Sequence, residues 1–384
     1  MVHTDFRRQI LTRYQASAAE TAELLAYNDN VFDHSQLEWP LVLPLPPEAH
    51  VAAWQAYAQE AQAKGLFAVL QQRLVQFRFP IQAGISQTAE YQAATRRGIF
   101  PSDESGGLVL RQPEALQLVI HESLAGLIPL LITGNRDDFV TLVQALTRKN
   151  EPDAVPDAMG ACVVAGFNNW SRVHEHRAVW ARDHDARDWP AEFQQLILRK
   201  ADYQDRFILL SDGPYSNIPA RELGLADTEW QQLSLIIRRE HECAHYFTRR
   251  LFGSMRNHLL DELIADYMGL VAAIGRCRAD WFLRFMGLEA FPHYRPAGRL
   301  ATYRGQPPLS DGAFRILQAL VKDAAENLEQ FDQAHRAELS SPVGQAIILI
   351  TLTCFTLAEV AAQEAGDLLE RKFRTLVSQV QGGG

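Results

Sequence analysis

The sequence predicts an α+β protein, with a small mixed sheet in the middle of the chain and helices on both sides of it. Between residues 116 and 210, short apolar runs rich in Val, Ile and Leu are separated by polar or turn-forming residues, as β-strands are. Towards both termini, apolar side chains instead recur every three or four positions, which is the period of an amphipathic helix. Helices and strands that occupy separate parts of a chain indicate the α+β class.

The amino-terminal region is predicted to be helical. Residues 5–27 carry apolar side chains spaced by three and four, including Ile10, Tyr14 and Leu25, and therefore predict one helix. A proline-containing connector follows at residues 43–47. A second helix is predicted from residue 48 to residue 63.

The middle region is predicted to supply the strands. Residues 116–120 and 127–132 predict two short strands joined by a glycine-containing turn, and residues 137–147 predict a helix. Two further apolar runs, at residues 160–166 and 207–210, predict two more strands. The strand at 160–166 could lie at a sheet edge and bind an extended substrate, although a strand in the core is the favoured interpretation.

The carboxy-terminal region, from Thr228 onward, is predicted to be almost entirely helical. The changes in pattern divide the chain into three regions, 1–110, 111–222 and 223–384, which could also form one continuous domain. The most apolar stretch, residues 343–358, is about 16 residues long and falls short of the roughly 20 needed to cross a bilayer. We therefore expect a buried helix there and no association with a membrane.

Composition and charge narrow the class of function. The chain has 384 residues, of which 47% are hydrophobic and 22% charged, the balance of an ordinary folded protein. Its formal net charge is −9 and it lacks a dense run of Lys or Arg, so we expect no nucleic-acid partner. Four scattered cysteines without a CxxC pair, and the absence of a visible signal peptide, favour a cytoplasmic location.

The feature that carries chemistry is the sequence His241-Glu242-Cys243-Ala244-His245 within a predicted helix. Thr228 and Gln231 have the spacing of a capping box at its start. Residues four apart lie one turn above each other, so the two imidazoles point into the same space and can share a metal ion. Glu242 is offset by about 100° from His241, which places it beside the metal as a base rather than as a ligand.

The segment that follows is predicted to bring carboxylates to the two histidines. Gly253 predicts the end of the first helix, and Asn257 is a candidate N-cap for the next. Glu262 and Asp266 are four apart and share one face of that second helix. If the helices pack antiparallel, Glu262 becomes the third ligand and Asp266 accepts a hydrogen bond from a ligating histidine. Three protein ligands and one open position are typical of a catalytic zinc site.

These motifs resemble the gluzincin branch of the zincin metallopeptidases over about 45 residues, 227–270. The resemblance implies a zincin-like fold and one Zn²⁺ ion held by His241, His245 and Glu262. It also implies that Glu242 is the general base and that Asp266 supports a histidine. The chain differs from metzincins, which would have a glycine and a third histidine in place of Thr248 and Leu251.

The predicted chemistry is hydrolysis by a water that zinc acidifies and Glu242 deprotonates. The resemblance favours a metallopeptidase, but the same site would suit an amidohydrolase, so the expected substrate is a peptide or a small amide. A donor to the developing oxyanion is also needed, and His258 is a candidate for this catalytic role because it shares the face of Glu262 and Asp266.

Three alternatives remain open from the sequence. The histidines and acids of residues 174–185 could form a second metal site, although an exposed polar loop is favoured. Glu242, His245 and Glu262 could belong to a di-iron site, but the second Glu-x-x-His motif of such sites is missing. The chain could also be an inactive zincin-like binding protein. Glu242 argues against this, because neither folding nor metal binding requires it.

Overall fold

A computed structural model describes residues 2–35, 37–100, 106–254, 259–296 and 298–381. The structure is mixed α+β, 60% helical, with one small four-stranded sheet and a helical carboxy-terminal half, which confirms the predicted class. The chain divides into two compact units, one made of Met1–Pro44 with Pro214–Gly384 and the other of Leu45–Gly213. The three regions of the sequence analysis are a different partition and stay a prediction.

The regular elements are numbered in chain order. The helices are α1 (Val2–Arg13), α2 (Ala18–Tyr27), α3 (Val51–Lys64), α4 (Leu66–Arg73), α5 (Ala89–Arg97), α6 (Arg136–Thr147), α7 (Trp170–Trp180), α8 (Trp189–Leu196), α9 (Asp227–Phe252), α10 (Leu259–Ile274), α11 (Ala279–Met286), α12 (Asp311–Leu339), α13 (Pro342–Thr353), α14 (Leu357–Val360) and α15 (Ala365–Gln381). The strands are β1 (Gln117–Ser123), β2 (Gly126–Thr133), β3 (Ala161–Asn168) and β4 (Gln204–Ser211).

The unit Leu45–Gly213 contains the sheet, whose strand order is β1-β2-β4-β3. The hairpin β1–β2 and the pair β3–β4 are antiparallel, whereas β2 and β4 are parallel. Leu131 and Phe207 of the sheet share one buried apolar cluster with Trp54 of α3 and Phe139 of α6. All four predicted strands are confirmed, but β3 lies at an edge of the sheet, so the core position favoured for it is wrong.

The amino-terminal helix predicted over residues 5–27 is two helices, α1 and α2. Ser17 ends the continuity because it forms a capping box with Glu20, in which each side chain accepts a hydrogen bond from the other's backbone N–H. Gln15, with φ 60°, leaves the right-handed helical conformation just before it. The apolar period runs through both helices, and so it does not reveal the break.

Two other predictions need correction, one for the polar segment 174–185 and one for the apolar stretch 343–358. His174, Glu175 and His176 lie on α7 and not in an exposed loop. The apolar stretch 343–358 is buried as predicted, but it is divided into α13 and α14. Within the residues that the structure describes, no helix has both the length and the apolar character needed to cross a membrane.

The two helices that carry the motif, α9 and α10, lie in the unit with the chain termini. α9 ends at Phe252, and Gly253, with a φ of 65°, is the left-handed residue predicted to stop it. Its start differs from the prediction: Ala226 is the N-cap and no side chain caps the helix, so the capping box of Thr228 and Gln231 is wrong. Thr228 already lies inside the first turn, where its side chain cannot serve as the N-cap.

Gly269 allows α10 to approach α9 closely. A Cβ atom at this position would lie 2.6 Å from the carbonyl oxygen of Ile237 on α9, closer than real Cβ contacts. Any side chain at residue 269 would therefore push the two helices apart. The glycine lies three residues beyond Asp266 on the same helix, so the close approach extends to the segment that carries the candidate ligands.

We expect Gly269→Ala to lower the free energy of unfolding by roughly 1–3 kcal/mol, the usual cost of overpacking a core. Denaturant unfolding measures this change. Gly366→Ala is the matched control, because Gly366 is also helical but has no atom within 4 Å of an added Cβ. The control should gain stability from its better helix propensity. Equal stability of the two variants would contradict the close-packing interpretation.

Candidate metal centre

Three ligand-type side chains converge between α9 and α10. The Nε2 atoms of His241 and His245 lie 3.1 Å apart. The carboxylate of Glu262 places one oxygen 3.5 Å from Nε2 of His241 and the other 3.6 Å from Nε2 of His245. All three side chains are buried. The pairing of the helices predicted from the sequence is therefore present.

The separations suit a shared metal ion. Donor atoms bound tetrahedrally at about 2.1 Å from one ion lie roughly 3.4 Å from each other. The measured separations of 3.1, 3.5 and 3.6 Å fall around this value. His241, His245 and Glu262 thus form a buried group that could hold a metal ion.

His241 is held from its far side by Asp266. Nδ1 of His241 lies 2.8 Å from Oδ1 of Asp266, whose side chain is fully buried. Burial alone would raise the pKa of Asp266, but the Arg299 guanidinium and the hydrogen bonds from His241 and Tyr215 lower it to about 2. The ionised carboxylate can only accept a hydrogen bond, so Nδ1 of His241 donates to it and Nε2 is the ring nitrogen that faces His245 and Glu262.

His245 faces a second carboxylate, that of Asp261. Nδ1 of His245 is 3.1 Å from Oδ2 of Asp261, within ion-pair range but not aligned for a hydrogen bond. Burial lowers the pKa of His245, yet Asp261 and Glu262 outweigh this effect and raise the pKa to about 10. Without a metal, the group of carboxylates therefore stabilises a positive charge on this imidazole.

Glu242 lies beside the three candidate ligands. It is the partly exposed member of the motif, whereas His241 and His245 are buried. The partial burial of Glu242 raises the pKa of its carboxyl group, although the two histidines lower it in part. A carboxylate with a raised pKa next to a metal-type site is suited to accepting and returning a proton.

Among the described residues, carboxylates outnumber guanidinium groups around the histidine pair. Four carboxylates lie at or beside the histidine pair, and two guanidinium groups act on them. The carboxylates are those of Glu242, Asp261, Glu262 and Asp266, and the guanidinium groups are those of Arg238 and Arg299. Without an ion, the positive charge favoured on His245 offsets part of this excess, and a bound cation would take over that compensation, because uncompensated charge in a protein interior is costly.

Two residues from outside the motif contact the carboxylates of α10. Arg299 pairs with Asp266 and its Nη2 lies 3.9 Å from Oε2 of Glu262. Tyr303 donates a hydrogen bond to Glu262, and burial together with that contact raises the pKa of its hydroxyl. Both residues belong to a short 3₁₀ turn at Arg299–Tyr303, so one segment contacts the carboxylates of α10 twice.

The sequence-predicted residues fall into three groups. The structure brings His241, His245, Glu262 and Asp266 together, with Glu242 adjacent. His258, proposed for catalysis, lies outside the described residues, as does the N-cap candidate Asn257.

The possible second metal site at residues 174–185 is not assembled. In the described part of the chain, its histidines and acids form no group that could hold an ion. His176 instead pairs with Glu192, and the ring of His184 stacks on Trp180.

Sequence reasoning missed several residues of the site, among them Asp261, Tyr215 and Arg299. Asp261 directly precedes Glu262, so its presence on the first turn of α10 was visible, but its direction towards His245 was not. Tyr215 and Arg299 lie 26 residues before His241 and 33 residues after Asp266, and no local spacing connects them to the motif.

Comparison with known proteins gives a match to a protein family. A family model described as "Family of unknown function (DUF7005)" matches residues 9–364. The curated proteins and the solved structures give no match.

Proposed function

The chain belongs to the family of unknown function DUF7005, and we propose from its site that it is a zinc-dependent hydrolase of the metallopeptidase or amidohydrolase type. The observation that carries the proposal is the convergence of His241, His245 and Glu262 around one point, with Glu242 beside them. The substrate class that we propose is a peptide or a small amide, and the fold that we propose is zincin-like.

Zinc is the metal that we propose for this donor set. Two imidazole nitrogens and one carboxylate oxygen form the three-ligand set of zinc hydrolases, and they leave a fourth position for water or substrate. A structural zinc would instead be closed by a fourth protein ligand. Among the described residues, the group that could hold the ion has three members.

Each side chain then has a distinct task. A bound Zn²⁺ would acidify a water molecule and polarise the carbonyl group of the substrate. His241, His245 and Glu262 hold the ion, while Asp266 fixes the orientation of His241. Glu242 accepts the proton of the water at its carboxylate and returns it to the leaving group. Its partial exposure suits this role, because substrate must reach it.

Metal content and turnover together test the proposal. Protein stripped of metal is reconstituted with Zn²⁺ or Co²⁺, and bound metal is measured by mass spectrometry. We expect one ion per chain, and zinc-dependent cleavage of a mixture of internally quenched peptides or of p-nitroanilide amides. Acetohydroxamate, a bidentate zinc ligand, should change the visible spectrum of the Co²⁺ form.

Two results would overturn the proposal. Purified protein that holds iron with an optical band would indicate the di-iron alternative. Bound zinc without turnover of either substrate pool, and without a spectral response to acetohydroxamate, would indicate a zincin-like binding protein.

A further inference from the structure

The metal group is connected to a tyrosine on a turn that precedes α9. The hydroxyl of Tyr215 donates a hydrogen bond to Oδ1 of Asp266 at 2.5 Å and lies 3.0 Å from Nδ1 of His241. Nη1 of Arg299 donates to the same hydroxyl at 3.0 Å. Oδ1 of Asp266 therefore accepts from both Tyr215 and His241, while its Oδ2 pairs with Arg299.

The position of the tyrosine is itself fixed. Its backbone N–H donates to Oγ of Ser234 on α9 at 2.9 Å. Directly after the turn, which spans Tyr215–Asn217, the carbonyl of Ile218 accepts from the indole N–H of Trp230, also on α9, at 2.7 Å. The ring of Tyr215 packs edge-on against Phe285 at 5.0 Å. The turn is thus attached to the same helix that carries the two histidines.

We infer that Tyr215 is a positioning residue of the metal centre, which sets the orientation of His241 through Asp266. The inference rests on the proposed zinc site. The Tyr215 hydroxyl donates to Oδ1 of Asp266 and accepts from Arg299, the residue that pairs with Oδ2, so it links the two groups that fix the carboxylate behind His241. Buried hydrogen bonds in a connected network strengthen one another. Loss of the Tyr215 hydroxyl therefore weakens the hold of Asp266 on the imidazole of His241.

The chain provides a matched control for this role. Tyr267 is a second buried tyrosine, and its hydroxyl donates to the buried carboxylate of Asp332 at 3.1 Å. Asp332 also accepts from the backbone N–H of Cys277 and contacts no candidate ligand in the described structure. Tyr215→Phe and Tyr267→Phe therefore remove the same kind of hydrogen bond, one inside the metal network and one outside it.

We expect Tyr215→Phe to weaken zinc binding by roughly 10–100-fold, the usual effect of removing support behind a ligand. Tyr267→Phe should leave zinc affinity within about twofold of the wild type. In the absence of metal, the melting temperature of both variants should fall by a similar amount. Zinc affinity is measured by competition with a chromophoric chelator. The Co²⁺ spectrum gives a second readout, and we expect it to shift in Tyr215→Phe alone.

Ser234→Ala supplies a second variant, since it loosens the turn without removing the phenolic oxygen. It should weaken zinc binding by a smaller factor than Tyr215→Phe. Wild-type affinity and spectrum in Tyr215→Phe, or an equal loss in Tyr267→Phe, would overturn the inference. So would a wild-type protein that binds no zinc. Zinc binding that depends on Tyr215 in a protein that hydrolyses nothing would leave the inference standing and remove only the proposed hydrolase.

Discussion

Glu242→Gln is expected to keep zinc bound and to lower the hydrolytic rate by roughly 10²–10⁴-fold, the contribution of a general base. The amide has the size of the carboxylate but cannot accept a proton from water. Glu242 is not one of the three residues that could hold the ion, so metal content should stay at one per chain. Metal analysis and kcat with the cleaved probe substrate measure the two effects separately.

Glu229→Gln is the control for this prediction, because Glu229 is an exposed residue on the first turn of the same helix, α9. It should retain both zinc and the full rate. Activity that survives in Glu242→Gln would show that another group takes the proton. Loss of zinc in Glu242→Gln would instead place Glu242 among the ligands, and the assignment of Glu262 would then need revision.

His245→Ala is expected to abolish zinc binding, with the bound metal falling from one ion per chain to none. The variant leaves two of three ligands, and it leaves Asp261 and Glu262 facing an apolar methyl group. At a zinc concentration 100 times its dissociation constant, the wild type should gain about 2.7 kcal/mol in the free energy of unfolding, whereas the variant should gain nothing. Unfolding with and without zinc measures this difference.

Comparing the effect of zinc within each variant separates metal binding from the stability that the substitution itself costs. His184→Ala is the matched control, because His184 is exposed and lies outside the residues that could hold the ion. Its zinc-induced gain should equal that of the wild type. A gain of the same size in His245→Ala would mean that zinc binds elsewhere on the chain.

Local spacing was enough to predict the central part of the site. Two histidines four residues apart on a helix must share a face, and Glu262 and Asp266 share one for the same reason. Gly253 marked the end of the first helix, because a left-handed residue after a helix favours glycine. The four strands were visible as apolar runs, although the edge position of β3 was not.

Other features needed chain reversals that spacing does not encode. The break between α1 and α2 depends on the capping box of Ser17 and Glu20, which the continuous apolar period masks. The start of α9 was misplaced for a related reason: Thr228 and Gln231 have capping-box spacing, but Ala226 is the residue with extended backbone before the helix. Spacing shows which pairs can cap, whereas backbone conformation decides which do.

The sequence by itself determined the α+β class and the helical motif, because both follow from periodicities within a few residues. Only the tertiary structure decided what surrounds the motif. Gly269 sets how closely α10 approaches α9, and this approach brings Glu262 to the histidines. Tyr215 and Arg299 contact Asp266 from segments that are distant in sequence. An unpaired buried charge is costly, and the partners that offset this cost are set by the packing of the chain and not by local spacing.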